Sequence, residues 1–224
     1  MMKLSTGEQM QKIDELTIKK AGIPGIVLME EAAMAVARQA EKELSEKKEA
    51  RILIVCGAGN NGGDGFAAAR ILHTMGFQVE VLFFGREEKL TEDGKTNFAA
   101  VNYLAIPVYG KEKGTHEFLS RFDLVIDALL GTGLHGTVRP EAQTLIEAIN
   151  ESGVPVLSVD IPSGVDSNTG KILGKAVKAS VTVTFVLPKI GQMLYPGREY
   201  CGRLVVAQIT TPKKIIDSME LKGS

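Results

Sequence analysis

The strongest constraint on how this chain can fold is an alternation. Six short runs rich in β-branched residues, Arg51–Cys56 (RILIVC), Gln78–Phe84 (QVEVLFF), Phe122–Asp127 (FDLVID), Val154–Asp160 (VPVLSVD), Ala179–Val186 (ASVTVTFV) and Arg203–Ile209 (RLVVAQI), punctuate the sequence. A shorter candidate strand lies at Ile106–Tyr109. Near-continuous apolar runs need cover on both faces. Stretches of helical length between them, Gly65–Met75, Thr91–Leu104 and Pro140–Asn150, supply that cover. The pattern specifies βαβ units around a mostly parallel sheet, in one domain over residues 1–224.

Two helices precede this alternation. Ser5 and Glu8 read as a capping box opening a helix through Met10, Ile13, Leu16 and Ile18, broken by Gly22 and Pro24. The second is expected over Gly25–Glu46, with Leu28, Ala32, Ala35 and Val36 on one face. At the other end, the polar stretch Pro212–Ser224 is expected to fray or to lead toward a partner.

The charge balance narrows the function. A net charge of −1 argues against broad nucleic-acid binding, which needs a basic excess or stripe. It leaves room for a small phosphorylated ligand held by loop amides. Cys56 and Cys201 form neither a disulfide framework nor a metal-ligand pattern, and Cys56, ending an apolar run, reads as a buried thiol. The N-terminus carries no apolar leader and no segment is long enough to span a bilayer, so a cytoplasmic protein away from membranes is expected.

In open α/β sheets ligands bind beyond the carboxyl ends of the strands. Three strands here end in unusual loops: Gly57-Ala58-Gly59-Asn60-Asn61-Gly62-Gly63-Asp64-Gly65, Asp127-Ala128-Leu129-Leu130-Gly131-Thr132-Gly133-Leu134-His135-Gly136-Thr137 and Asp160-Ile161-Pro162-Ser163-Gly164-Val165-Asp166. All three are expected on one edge. The first contains G-x-G-x-x-G, yet a dehydrogenase also wants an acid at the end of the next strand, and Glu80 stands mid-strand. Asp64 beside a phosphate cradle would also repel a pyrophosphate; its other reading is a cap for the following helix. A plain tight turn needs neither the paired asparagines nor the paired glycines.

Asp127 and Asp160 each close an apolar strand, where a carboxylate is costly to keep charged without a partner. Asn61 and Ser163 add neutral oxygens, and with Asp127 they make a hard, low-charge donor set. His135 reads either as a proton carrier or as a solvated loop residue, and Lys189 either as a site residue or as a surface lysine.

Together these loops resemble the NAD(P)HX epimerase family, the YjeF N-terminal domain. The resemblance covers nearly the whole chain. It runs from Ile13-Asp14 and Leu28-Met29-Glu30, through Asn60–Gly65, Asp127–Gly133 and Val159–Gly164, to Pro188-Lys189 and the strand Gly202–Val206. It implies a three-layer α/β/α sandwich with Rossmann-like winding, a homodimer, and an isomerase that interconverts the R and S forms of hydrated NADH and NADPH. It implies substrate binding by Asn60, Asn61, Gly62, Gly63, Asp64, Gly131, Thr132, Gly133, Leu134, His135, Gly136, Thr137 and Asp160. It also implies one potassium ion per subunit at Asn61, Asp127 and Ser163. One departure stands out: Met29-Glu30-Glu31-Ala32-Ala33 replaces the family's Met-Glu-Asn-Ala-Gly. With no dehydratase domain following, the chain is expected to work with a separate NAD(P)HX dehydratase. Asp160 is the expected catalytic acid–base group, with Lys189 as the second choice. The competing reading is a non-catalytic nucleotide-binding or dimerisation module of the same fold.

Overall fold

The computed structural model describes residues 3–45, 47 and 49–223. Its strands are β1 (Lys3–Leu4), β2 (Arg51–Cys56), β3 (Gln78–Phe83), β4 (Val108–Tyr109), β5 (Leu124–Ala128), β6 (Val156–Val159), β7 (Val181–Phe185), β8 (Arg203–Ala207) and β9 (Lys222–Gly223). The helices are α1 (Gly7–Ala21), α2 (Gly25–Leu44), α3 (Asn60–Thr74), α4 (Glu92–Tyr103), α5 (His116–Leu119), α6 (Pro140–Glu151), α7 (Gly197–Tyr200) and α8 (Lys213–Asp217). Glu46, the expected end of the second helix, lies outside the described residues.

Seven strands pair in the order β4-β3-β2-β5-β6-β7-β8, all parallel. Successive side chains on a strand point to opposite faces, and the two cores follow that rule. Ile52, Ile54 and Cys56 of β2 join the core under α2, α3 and α4, while Leu53 and Val55 join the core under α5 and α6. The result is the three-layer α/β/α sandwich. The chain builds outward from β2 to β4 and then returns to lay β5 on the other side of β2. The reversal between β2 and β5 opens a crevice at their carboxyl ends.

Four sequence readings need correction. The capping box of α1 is Thr6 with Gln9, where Gln9 N donates to Thr6 Oγ1 at 3.1 Å and Thr6 N to Gln9 Oε1 at 2.8 Å. Ser5 cannot cap because it is fully buried in a bridge to the Lys189 turn: its N–H donates to Pro188 O at 3.0 Å and its C=O accepts from Ile190 N at 2.9 Å. The third helix begins at Asn60 rather than Gly65, so most of the first glycine loop is helical, and Gly59, not Asp64, is its N-cap. Asp127 is not the last residue of its strand, since Ala128 continues the pairing with Cys56. Finally, the C-terminal stretch folds back. Ile215, Ile216, Met219 and Leu221 pack on the main core, and β9 pairs antiparallel with β1. Among the described residues no helix is long and apolar enough to cross a membrane.

Candidate functional site

The tips of β2 and β5 interlock through glycine. Gly57 donates to Ala128 O at 3.0 Å, and a Cβ on Gly57 would fall 2.0 Å from Leu129 O. A Cβ on Gly62 would fall 1.9 Å from Gly57 O. Any larger residue at either position would force the backbones apart. The glycines thus let the N-terminus of α3 sit directly over the strand tips, with its free N–H groups and positive dipole end toward the crevice. Glu80, by contrast, is tied to Arg51 Nη2 at 2.7 Å, away from any ribose-binding role.

Beside this interlock the Asn61, Asp127 and Ser163 side chains meet around Leu130. Asn61 Nδ2 donates to Leu130 O at 3.1 Å, and Leu130 N donates to Ser163 Oγ at 2.8 Å. Asp127 is fully buried. Its Oδ1 accepts from Ser163 Oγ at 2.6 Å and Leu129 N at 3.3 Å; its Oδ2 accepts from Ser158 Oγ at 2.8 Å and Ser163 N at 2.9 Å. All four donors are neutral. Burial raises the Asp127 carboxyl above its ordinary value, and the hydrogen bonds from Ser163, Ser158 and Leu129 pull the other way.

The third loop turns on Asp160, which has φ +63°. Ile161 N donates to Val159 O at 2.8 Å across it, a γ-turn of the strained, positive-φ kind. The turn points the Asp160 carboxyl sideways onto β7. There Oδ1 accepts from Thr184 Oγ1 at 3.1 Å and from the Lys189 ammonium. Lys189, only 1% exposed, also donates to Thr184 Oγ1 at 2.9 Å. Gln192 locks the arrangement by donating to Asp160 O at 2.6 Å and accepting from Lys189 N at 2.8 Å. Lys189 is therefore not a surface lysine.

Two more carboxyls feel the charge of this ammonium. Burial drives Asp64 well above the usual carboxylate range, and the charges of Asp160 and Asp14 add to the effect. Burial likewise raises Asp14, on α1, to about 6, with Asp160 adding to the rise and Lys189 opposing it. Three carboxyls near one cation oppose one another's ionisation.

The Gly131–Thr137 loop lies across the same edge. A Cβ on Gly131 would touch Asn61 Cβ at 3.1 Å, and Leu134 packs against the second core. His135, Gly136 and Thr137 are exposed, as is Asn60. The three strand tips therefore converge on one crevice, with the outer half of the second loop at its rim.

A family profile described as YjeF-related protein N-terminus matches residues 25–191. The chain belongs to this family. It is 42% identical over 99% of its length to a bifunctional NAD(P)H-hydrate repair enzyme Nnr from Thermofilum pendens, of which it spans 43%. It is 38% identical over 92% of its length to an NAD(P)H-hydrate epimerase from Limosilactobacillus reuteri, covering 94% of that protein. The crystal structure of the yeast protein ynu0 superposes with a TM-score of 0.81 at 24% identity, covering 100% of this chain and 96% of that one.

Within the YjeF-related fold, both departures in α2 find a structural role. Glu31 accepts from the N–H and the hydroxyl of Thr210, fastening the segment that follows β8. Ala33 is fully buried in the main core, where its methyl is accommodated. The residues missed from sequence are those that support Asp160 and Asp127 from other elements: Asp14, Ser158, Thr184 and Gln192. A faint signal existed for Asp14, which shares a helix face with the buried Met10 and Thr17 at four- and three-residue spacing.

Proposed function

We propose that this chain is an NAD(P)HX epimerase: an isomerase that interconverts the R and S forms of hydrated NADH and NADPH and so serves nicotinamide cofactor repair. The observation that carries the reading is the convergence of the α3 N-terminus with the Asp160–Lys189 pair at the β2/β5 reversal. A nucleotide needs the first and a stereochemical inversion needs the second. The names of the two relatives point to the same chemistry.

In the hydrated cofactor a hydroxyl-bearing carbon adjoins the ring nitrogen, and inversion there requires a proton to reach and leave that oxygen. Asp160 is the proposed acid–base group. Asn60, Asn61, Gly62, Gly63 and Asp64, with Gly131–Thr137, are proposed to hold the diphosphate and ribose against the helix N-terminus. A potassium ion fits beside Leu130, where Asn61 bonds through its amide nitrogen, its amide oxygen taking no hydrogen bond among the described residues, and Asp127 supplies a buried carboxylate whose partners are all neutral. Asn61, Asp127 and Ser163 would hold it, and its charge would order the two loops. The same reading makes the protein a cytoplasmic homodimer, coupled through its product to an NAD(P)HX dehydratase; two buried thiols with no disulfide among the described residues suit a reducing compartment.

The test starts from one chromatographically purified epimer. With the protein present, the second epimer should appear far faster than in buffer, until both reach their equilibrium ratio. Equal rates with and without protein would overturn the reading.

A further inference from the structure

Asp160, with φ +63°, occupies a conformation that a residue other than glycine keeps only where its surroundings hold it. Its main chain is held at both ends. Asp160 N donates to Val183 O of β7 at 2.7 Å, and Asp160 O accepts from Gln192 Nε2 at 2.6 Å. The other half of that amide, Oε1, accepts from Lys189 N at 2.8 Å. One fully buried side chain therefore fixes the main chain of both members of the ion pair. The task takes a donor and an acceptor on one planar head, and the two partners, a carbonyl oxygen and an N–H, dictate which way round the amide lies. Gly191 seats the turn that carries Gln192. Its N–H donates to Ser167 O at 2.7 Å, and a Cβ there would fall 2.0 Å from Asp166 O. The turn is thus pressed onto the loop that begins at Asp160.

The consequence falls on the two carboxyl oxygens of Asp160. Oδ1 accepts from the Lys189 ammonium, from Thr184 Oγ1 at 3.1 Å and from Phe185 N at 3.4 Å. Oδ2 accepts no hydrogen bond among the described residues, while 15% of the side chain stays exposed. We propose that Oδ2 is the oxygen of Asp160 that exchanges a proton with the substrate, and that Gln192 is the positioning residue that keeps it available by holding Oδ1 on Lys189 and Thr184. The proposal rests on the epimerase reading. The two epimers carry the same number of protons, so whatever Oδ2 takes up within a turnover it returns. A proton carrier has to stand within hydrogen-bond reach of its target, and a displacement of about 1 Å costs on the order of 10²-fold in rate. Without Gln192 the Asp160 peptide is free to rotate out of its strained turn, and the carboxyl swings with it. Gln192 touches no reacting atom; it acts through Asp160.

The experiment compares wild type, Gln192→Met and Gln192→Glu in epimer interconversion at about pH 5.5 and pH 8, with kcat and KM measured separately. Methionine keeps the length of the side chain and loses both hydrogen bonds. For Gln192→Met we expect kcat to fall about 10–100-fold at both pH values, with KM changed less than about threefold. In Gln192→Glu the new carboxyl is buried against a carbonyl oxygen and near the Asp160 carboxylate, which favour its protonated form, with the Lys189 ammonium opposing them. Protonated, it again offers one donor and one acceptor, so at about pH 5.5 it should recover at least a third of wild-type kcat. Wild-type kcat in a folded Gln192→Met overturns the proposal and leaves the epimerase reading standing. A Gln192→Glu as slow as Gln192→Met at about pH 5.5 overturns it too, because the rate then does not follow the restored donor. Should Gln192→Met prove unfolded by circular dichroism, the recovery in Gln192→Glu decides alone. If wild type itself does not exceed buffer, the reading fails and takes this role with it.

Discussion

Lys189 donates its ammonium to Asp160 across the tips of two neighbouring strands, with the lysine 1% and the aspartate 15% exposed. The pair exists because a positive-φ turn after β6 swings the carboxylate toward β7, and because the bridge to Ser5 holds the lysine turn beneath it. Removing one member of such a pair costs more than the pair itself contributes, since a buried charge is left alone. Lys189→Met should therefore destabilise the protein by about 3 kcal/mol at pH 7, read from urea denaturation. The deficit should shrink toward pH 4, as Asp14 takes up a proton and relieves its repulsion of Asp160. A loss independent of pH would mean that packing, not charge, is what Lys189 supplies.

Asp160 combines strain and chemistry in one residue, and two substitutions separate them. Asparagine tolerates φ near +60° and preserves the side-chain shape, whereas alanine adopts that conformation less readily. Asp160→Asn leaves the buried Lys189 ammonium without its carboxylate, so it should lose about 3 kcal/mol of stability and about 10²–10⁴-fold in epimerisation rate. Asp160→Ala should lose similar activity and still more stability, the backbone strain being added. An Asp160→Asn variant of wild-type rate would remove Asp160 from the chemistry.

The sandwich was legible in the sequence because buried parallel strands must be apolar along their whole length, and few other structures require that. Asp127 and Asp160 were legible for the same reason in reverse, as charges at the ends of apolar runs. The start of α3 was not. Gly62 and Gly63 read as loop by propensity, whereas the close approach of the Gly57 carbonyl imposes glycine at position 62 within the first helical turn. Lys189 read equally as surface or site, because its burial depends on a bridge to Ser5, more than 180 residues away. Asp14 shows only its spacing from Met10 and Thr17, which is too weak to separate an inward acid from a solvated one. Its company is set by three other elements.

The Leu130 oxygen cluster predicts a cation effect that needs no catalysis to be seen. If potassium offsets the buried Asp127 charge, wild-type Tm should rise when potassium replaces tetramethylammonium at constant ionic strength, since a ligand of the native state stabilises it. In Asp127→Asn that rise should vanish, along with any potassium dependence of epimerisation. Asp127→Ala should fare worse, leaving the hydroxyls of Ser158 and Ser163 and two N–H groups without their acceptor, at a cost of a few kcal/mol. A potassium-insensitive wild type, in both Tm and rate, would eliminate the metal from the scheme.

Asp14 should be a destabilising residue at neutral pH, with a sign that can be worked out. Its value is about 6 in the folded protein against an ordinary 3.8, so between those limits the native state keeps a proton that the unfolded chain has released. The stability that protonation confers is fully present below 3.8 and is lost as pH rises through about 6. Two units would correspond to roughly 3 kcal/mol, and partial access to solvent brings the expected penalty nearer ~1–2 kcal/mol. Asp14→Asn removes the ionisable group, so it should be more stable than wild type by that amount at pH 7.5 and equal to it at pH 4, by chemical denaturation at each pH. Equal stability of the two proteins at pH 7.5 would place Asp14 in ordinary solvent, with nothing to distinguish it from the other acids of α1.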